Sequence, residues 1–194
     1  MSVRTALGAT VTLTAALVSL PAYAQSVDLD ALREATAVFA DVDAALAAGY
    51  IEDPSGACIS AAMEGLPPEM GAMGIHYLNP ALLGLNAPGE RVDGTGINTD
   101  WAQPSILVYE PQADGSLELV AVENLVWQAA WAAAGNTAPP SINGKVWDTM
   151  ADDMASDADE AHGFAPHFDQ HVWLQRENPA GVYASFNPAV SCGS

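Results

Sequence analysis

Leu29, Leu32, Phe39, Val42 and Leu46 recur at spacings of three, four or seven, and Ala35 and Ala45 widen the same stripe. That period predicts an amphipathic helix with one face on the core. Ser26, Asp28 and Asp30 offer caps and favourable charge at its start, and Gly49 can end it in a left-handed turn. The pattern then changes. Ser105 to Glu110 (SILVYE) is rich in β-formers, Asp114-Gly115 supplies a turn, and Leu117 to Leu125 (LELVAVENL) returns. On the return strand, strict alternation puts Leu117, Leu119, Ala121 and Glu123 on one face and Glu118, Val120, Val122 and Asn124 on the other.

Weaker signals fill the rest. Between residues 51 and 104, Pro67-Pro68 breaks any helix and Asn79-Pro80 starts a turn with one helical turn through Leu83. Asp93-Gly94-Thr95-Gly96 has no preceding strand, lysine or following helix, so it reads as a plain loop rather than a phosphate cradle. A short alanine-rich helix is expected through Trp131, stopping at Gly135. Pro139-Pro140 and Asn143-Gly144 mark an ordered loop or small hairpin, Val146 to Ala155 a weak helix, and His167 to Gln175 a strand. Helical period followed by alternating runs and short turns predicts one α+β domain: an N-terminal amphipathic helix packed on a mainly antiparallel sheet.

The one long apolar run lies at the N-terminus. Arg4 precedes it, Ala6 to Leu20 is apolar, and Pro21-Ala22-Tyr23-Ala24 ends in a small-x-small pattern. Residues 1–24 therefore read as a signal peptide, and residues 25–194 as the single domain of a periplasmic or secreted protein with no membrane segment after cleavage. Cys58 and Cys192, the two cysteines, both fall in that domain, which predicts a disulfide between them.

Twenty-four acidic against five basic residues give a formal charge of −19. So few cations cannot neutralise a run of phosphates, which excludes a nucleic-acid partner. Asp148, Asp152, Asp153, Asp157, Asp159 and Glu160 crowd together without the spacing of a calcium loop, and read as a solvated surface.

The candidate chemistry rests on the histidines. His162, His167 and His171 lie close in sequence, and His76 stands apart in an apolar segment. On a strand, residues four apart are separated by roughly 13 Å, so His167 and His171 do not share an ion. The expected site joins His76 with His171 or His167 and a carboxylate from another strand, Glu123 or Glu110. Glu123 is the preferred ligand, Glu110 a supporting group, and Asp169 an outer partner that orients an imidazole. His162, flanked by glycine, ranks last. Such a set suits one divalent ion, with zinc, iron, manganese and copper undistinguished. The competing reading is a non-catalytic envelope protein whose histidines form a hydrogen-bonded network. Trp101, Trp127, Trp131, Trp147 and Trp173 line either the core or a groove for a small-molecule ligand. There is no G-x-S-x-G elbow and no H-E-x-x-H helix.

Three blocks carry a resemblance: GAMGIHYLNPALL (71–83), ILVYEPQADGSLELVAVE (106–123) and HFDQHVWLQRENPAGVYASFNPAVSC (167–192). In that order they are similar to a family of exported bacterial proteins of uncharacterised activity. The matched positions are Met73-Gly74-Ile75-His76-Tyr77, Val108-Tyr109-Glu110 and His167-Phe168-Asp169-Gln170-His171-Val172-Trp173. Val108 and Asn124 depart from the leucine and the aromatic expected there. The resemblance implies export and a single compact domain, and supplies no reaction.

Overall fold

A computed structural model describes residues 24–152, 155, 161 and 163–193. Residues 1–23 of the expected signal peptide (residues 1–24), His162 and most of the acidic run after Asp152 lie outside the described residues.

In chain order the strands are β1 (Ala24–Gln25), β2 (Ile51–Glu52), β3 (Cys58–Ser60), β4 (Ala72–Leu78), β5 (Ile106–Pro111), β6 (Leu117–Trp127), β7 (Ser141–Ile142), β8 (Lys145–Val146), β9 (Asp148–Met150) and β10 (His167–Val172). The helices are α1 (Leu29–Thr36), α2 (Val42–Ala47), α3 (Pro80–Leu83) and α4 (Gln128–Ala133). The main sheet runs β2-β4-β5-β6-β10-β9, with β3 also paired to β4, and every pairing in it is antiparallel. A small second sheet, β1-β7-β8, contains one parallel pair. The chain is thus one α+β domain built on a mainly antiparallel sheet, as its patterning predicts.

The expected single N-terminal helix is instead two helices joined by a 3₁₀ turn at Ala37–Ala40. Two features interrupt it. The Thr36 hydroxyl donates back to the Leu32 carbonyl at 2.9 Å, which competes with the helical ladder. Asp41 then caps a new helix, its side chain accepting from the Asp43 N–H. The break re-phases the buried stripe: Leu32, Thr36 and Ala45 are buried, whereas Leu46 is exposed.

The β5–β6 hairpin forms where expected, closed by Asp114-Gly115 with Asp114 accepting from the Ser116 N–H. Its alternation is not strict. Val108 pairs with Ala121 and Tyr109 with Leu119, so Val120 is an extra residue in β6. This bulge moves Leu119 to the face opposite Ala121 and Glu123. Among the described residues of 146–155 the expected helix is absent. Residues 148–150 form the edge strand β9, because Thr149 and its neighbours pair with the otherwise open outer edge of β10. Asn143 and Gly144, both at positive φ, turn a real small hairpin between β7 and β8.

The sheet has two buried faces. On one, Tyr77, Leu107, Tyr109, Val122, Val126 and Val172 pack with Leu32 and Ala45 of the helices and with Trp101, Trp131 and Trp147. On the other, Leu78, Ile106, Val108, Ala121, Leu125 and Trp127 pack with Leu83, Trp173 and Val190. The Cys58–Cys192 disulfide ties β3 to the C-terminal segment across 134 residues, with a Cα–Cα distance of 5.4 Å. Among the described residues no helix is long and apolar enough to cross a membrane.

Candidate metal centre

Register decides what faces the second core. Leu78 pairs with Ile106, Ile106 with Glu123, and Glu123 with His171, so these four form one row across β4, β5, β6 and β10. His76, Val108 and Ala121 form the adjacent row. Cross-strand partners share a face, so two imidazoles and a carboxylate from three strands project to the same side. The backbones of β4 and β6 are two strand spacings apart, roughly 10 Å. Small Ala121 and β-branched Val108 leave space beneath the longer side chains.

The side chains close that gap. His171 Nε2 lies 3.3 Å from Glu123 Oε2, and His76 Nε2 lies 3.4 Å from the same oxygen. The ligating atoms of His76, Glu123 and His171 all fall within 4.8 Å of one another. The two rings meet edge to face, with centroids 5.8 Å apart. Despite the short distances, Glu123 Oε2 and His171 Nε2 are buried with no hydrogen-bond partner. Such orphaned polar atoms are costly unless something else satisfies them. Two donors about 2.0–2.1 Å from one ion at a tetrahedral angle stand roughly 3.3–3.5 Å apart. The two imidazole–carboxylate distances match that span.

The electrostatics suit the same role. Burial lowers His76 to about 4, opposed by the nearby Asp53 charge, and lowers His171 to about 3, with His76 adding to the shift. Both rings are therefore neutral ligands-in-waiting at neutral pH. Burial pushes Glu123 well above the usual carboxylate range, and the charge and hydrogen bond of Asp169 push the same way. Asp169 is itself pushed up to about 7 by burial and by Asp148. Burial and the closeness of the two carboxyls therefore favour a protonated pair over two buried carboxylates.

The group floors a cavity of about 360 Å³. Ile59, Met73, Leu78, Ile106, Leu125 and Phe164 supply much of its wall, and it opens beside the exposed Pro54 and Ser55. All five tryptophans are buried, and none lines the cavity. Trp127, Trp131 and Trp173 each donate to a backbone carbonyl, which marks them as core residues.

The structure brings together His76, Glu123 and His171 from the sequence-based set. His167 lines the same cavity but stands outside that group. Its Nδ1 is 2.9 Å from the Ala165 carbonyl and its ring packs against Trp127 and Phe164. Asp169 adjoins the site, but it hydrogen-bonds the Glu123 carboxyl rather than orienting an imidazole. Glu110 is elsewhere: Arg176 holds its Oε2 at 2.8 Å, and its Oε1 accepts from the Ser191 N–H. On β5 it shares the face of Ile106 and Val108, but it lies beyond the row of His76, Val108 and Ala121, toward the turn end of the hairpin. Asp53 was not foreseen. Within Asp53-Pro54-Ser55-Gly56 it reads as a turn former, and indeed it accepts from the Ser55 N–H, but it also lines the cavity near His76. Among protein-family models, curated proteins and solved structures, nothing matches this chain.

Proposed function

We propose that this is an exported metalloprotein in which His76, His171 and Glu123 hold one divalent ion whose open positions face a small-molecule cavity. The observation that carries the reading is the buried, unpartnered pair His171 Nε2 and Glu123 Oε2, with His76 Nε2 converging on the same oxygen. Two imidazoles and one carboxylate leave coordination positions free, the arrangement used both by hydrolytic zinc centres and by oxygen-activating iron centres. An ion there acts as a Lewis acid toward a bound oxygen or lowers the pKa of a bound water. Asp169, hydrogen-bonded to Glu123, holds that carboxyl and takes up or gives back a proton when the ion enters or leaves.

Export is supported by the disulfide and by the apolar N-terminal run behind Arg4. The test is elemental analysis of protein purified gently from the envelope or medium, with thermal shifts on adding zinc, iron, manganese or copper. One ion per chain and a raised melting temperature are expected. No bound ion and no shift with any of the four would leave the histidines and carboxyls as a structural hydrogen-bonded network.

A further inference from the structure

The cavity over the metal group has a charge pattern that selects its occupant. Its wall is apolar, and among the described residues its ionisable groups besides the histidines are Asp53, Glu64, Glu123 and Asp169. Among the described residues no lysine or arginine lines it. Each described cation is already paired or hydrogen-bonded. Arg91 donates to the Phe164 carbonyl and pairs with Asp152, and Lys145 pairs with Asp148. Arg176 pairs with Glu110 and Glu118, and Arg33 with Asp30. A bound dication would bring two positive charges against the carboxyls of Glu123, Asp169 and Asp53. It would leave no surplus to hold an anion in a low-dielectric site. The volume, about 360 Å³, is near the lower end of small-molecule pockets, which run from about 300 to 1,000 Å³.

We infer that the cavity takes an uncharged, largely apolar small molecule bearing one hydroxyl or carbonyl oxygen, and rejects carboxylates and phosphates of the same size. The oxygen's contact with the ion rests on the metal reading above. The preference for a neutral apolar body rests on the cavity wall alone and holds with or without metal.

Matched probes test it: benzyl alcohol against benzoate, titrated by calorimetry and ligand-observed NMR into metal-free and zinc-loaded protein, with zinc content measured on the same samples. Benzyl alcohol is expected to bind at least about tenfold more tightly in both forms. Asp53→Asn should narrow that ratio by improving benzoate binding. Leu125→Lys, with its fold checked by circular dichroism, should narrow it further. Benzoate binding as tightly as benzyl alcohol in either form, or neither probe binding, would overturn the ligand class. Absence of zinc uptake would overturn the metal reading instead, and the metal-free titration would still decide the ligand class.

Discussion

Glu123 Oε2 lies 3.3 Å from Nε2 of His171, its direct cross-strand partner, yet both atoms are buried and unsatisfied. Neighbouring strands hold this pair in place, so its geometry is set by the sheet ladder rather than by a flexible loop. An ion between them would satisfy both atoms and bring in His76 from two strands away. Glu123→Gln removes the anionic ligand while keeping shape. Because even outer-sphere partners of metal ligands cost about 10–100-fold, loss of a ligand should weaken zinc binding by more than about 100-fold. His171→Ala and His76→Ala should do the same, and competitive chelator titration measures all three.

Asp169→Asn keeps a hydrogen-bonding side chain beside Glu123 but removes the carboxyl that shares its proton. Zinc affinity is expected to fall by about 10–100-fold, less than for Glu123→Gln. The same titration ranks the two variants. Equal losses would make Asp169 a ligand in its own right.

Gly74 lies on β4 two residues before His76, at φ +126°, where a Cβ would sit 2.5 Å from the Tyr109 carbonyl oxygen. Neither the backbone conformation nor the space admits a side chain. Gly74→Ala should destabilise the fold by roughly 2–4 kcal/mol, read from urea midpoints. Because β4 would shift against β5, zinc affinity should fall as well.

Reduction of Cys58–Cys192 reopens a loop spanning 134 residues of sequence separation. The chain-entropy argument gives up to roughly 5 kcal/mol of lost stability. For a domain of this size that corresponds to about 10–20 °C in melting temperature. Calorimetry with and without reductant, and on a Cys58→Ser/Cys192→Ser double variant, measures it.

Tyr50 donates to the Pro104 carbonyl at 2.6 Å, and Tyr109 to the Phe39 carbonyl at 2.7 Å. Burial pushes Tyr50 up to about 12 from its ordinary value of 10.0, and Tyr109 is shifted upward too. Between these values the unfolded chain has lost a proton that the folded chain retains. Stability is therefore full below pH 10 and falls as pH rises toward 12. Tyr50 alone should contribute roughly 2–3 kcal/mol to that loss. Urea unfolding from pH 9 to 12 measures the slope, and Tyr50→Phe should flatten it.

The amino-acid pattern by itself determined the local elements whose signals are self-contained. The β5–β6 hairpin follows from alternation around Asp114-Gly115, the α3 turn from Asn79 capping Pro80–Leu83, and the disulfide from a pair of cysteines with no other partner. It also named His76, His171 and Glu123, because each is a polar group set in an apolar segment. What only the tertiary structure decided was relative placement. Strand order β4-β5-β6-β10 is not encoded in any local period, yet it alone brings residues 76, 123 and 171 to one oxygen. The bulge at Val120 is a mismatch between two strands and has no signature in either. Residues 148–150 became strand rather than helix because β10 offered an open edge. For the same reason Asp53, not singled out in the sequence, meets the cavity, whereas Glu110 lies apart from it. A turn carboxylate and a strand carboxylate look alike in sequence, and which one meets the cavity depends on what the folded sheet sets beside it.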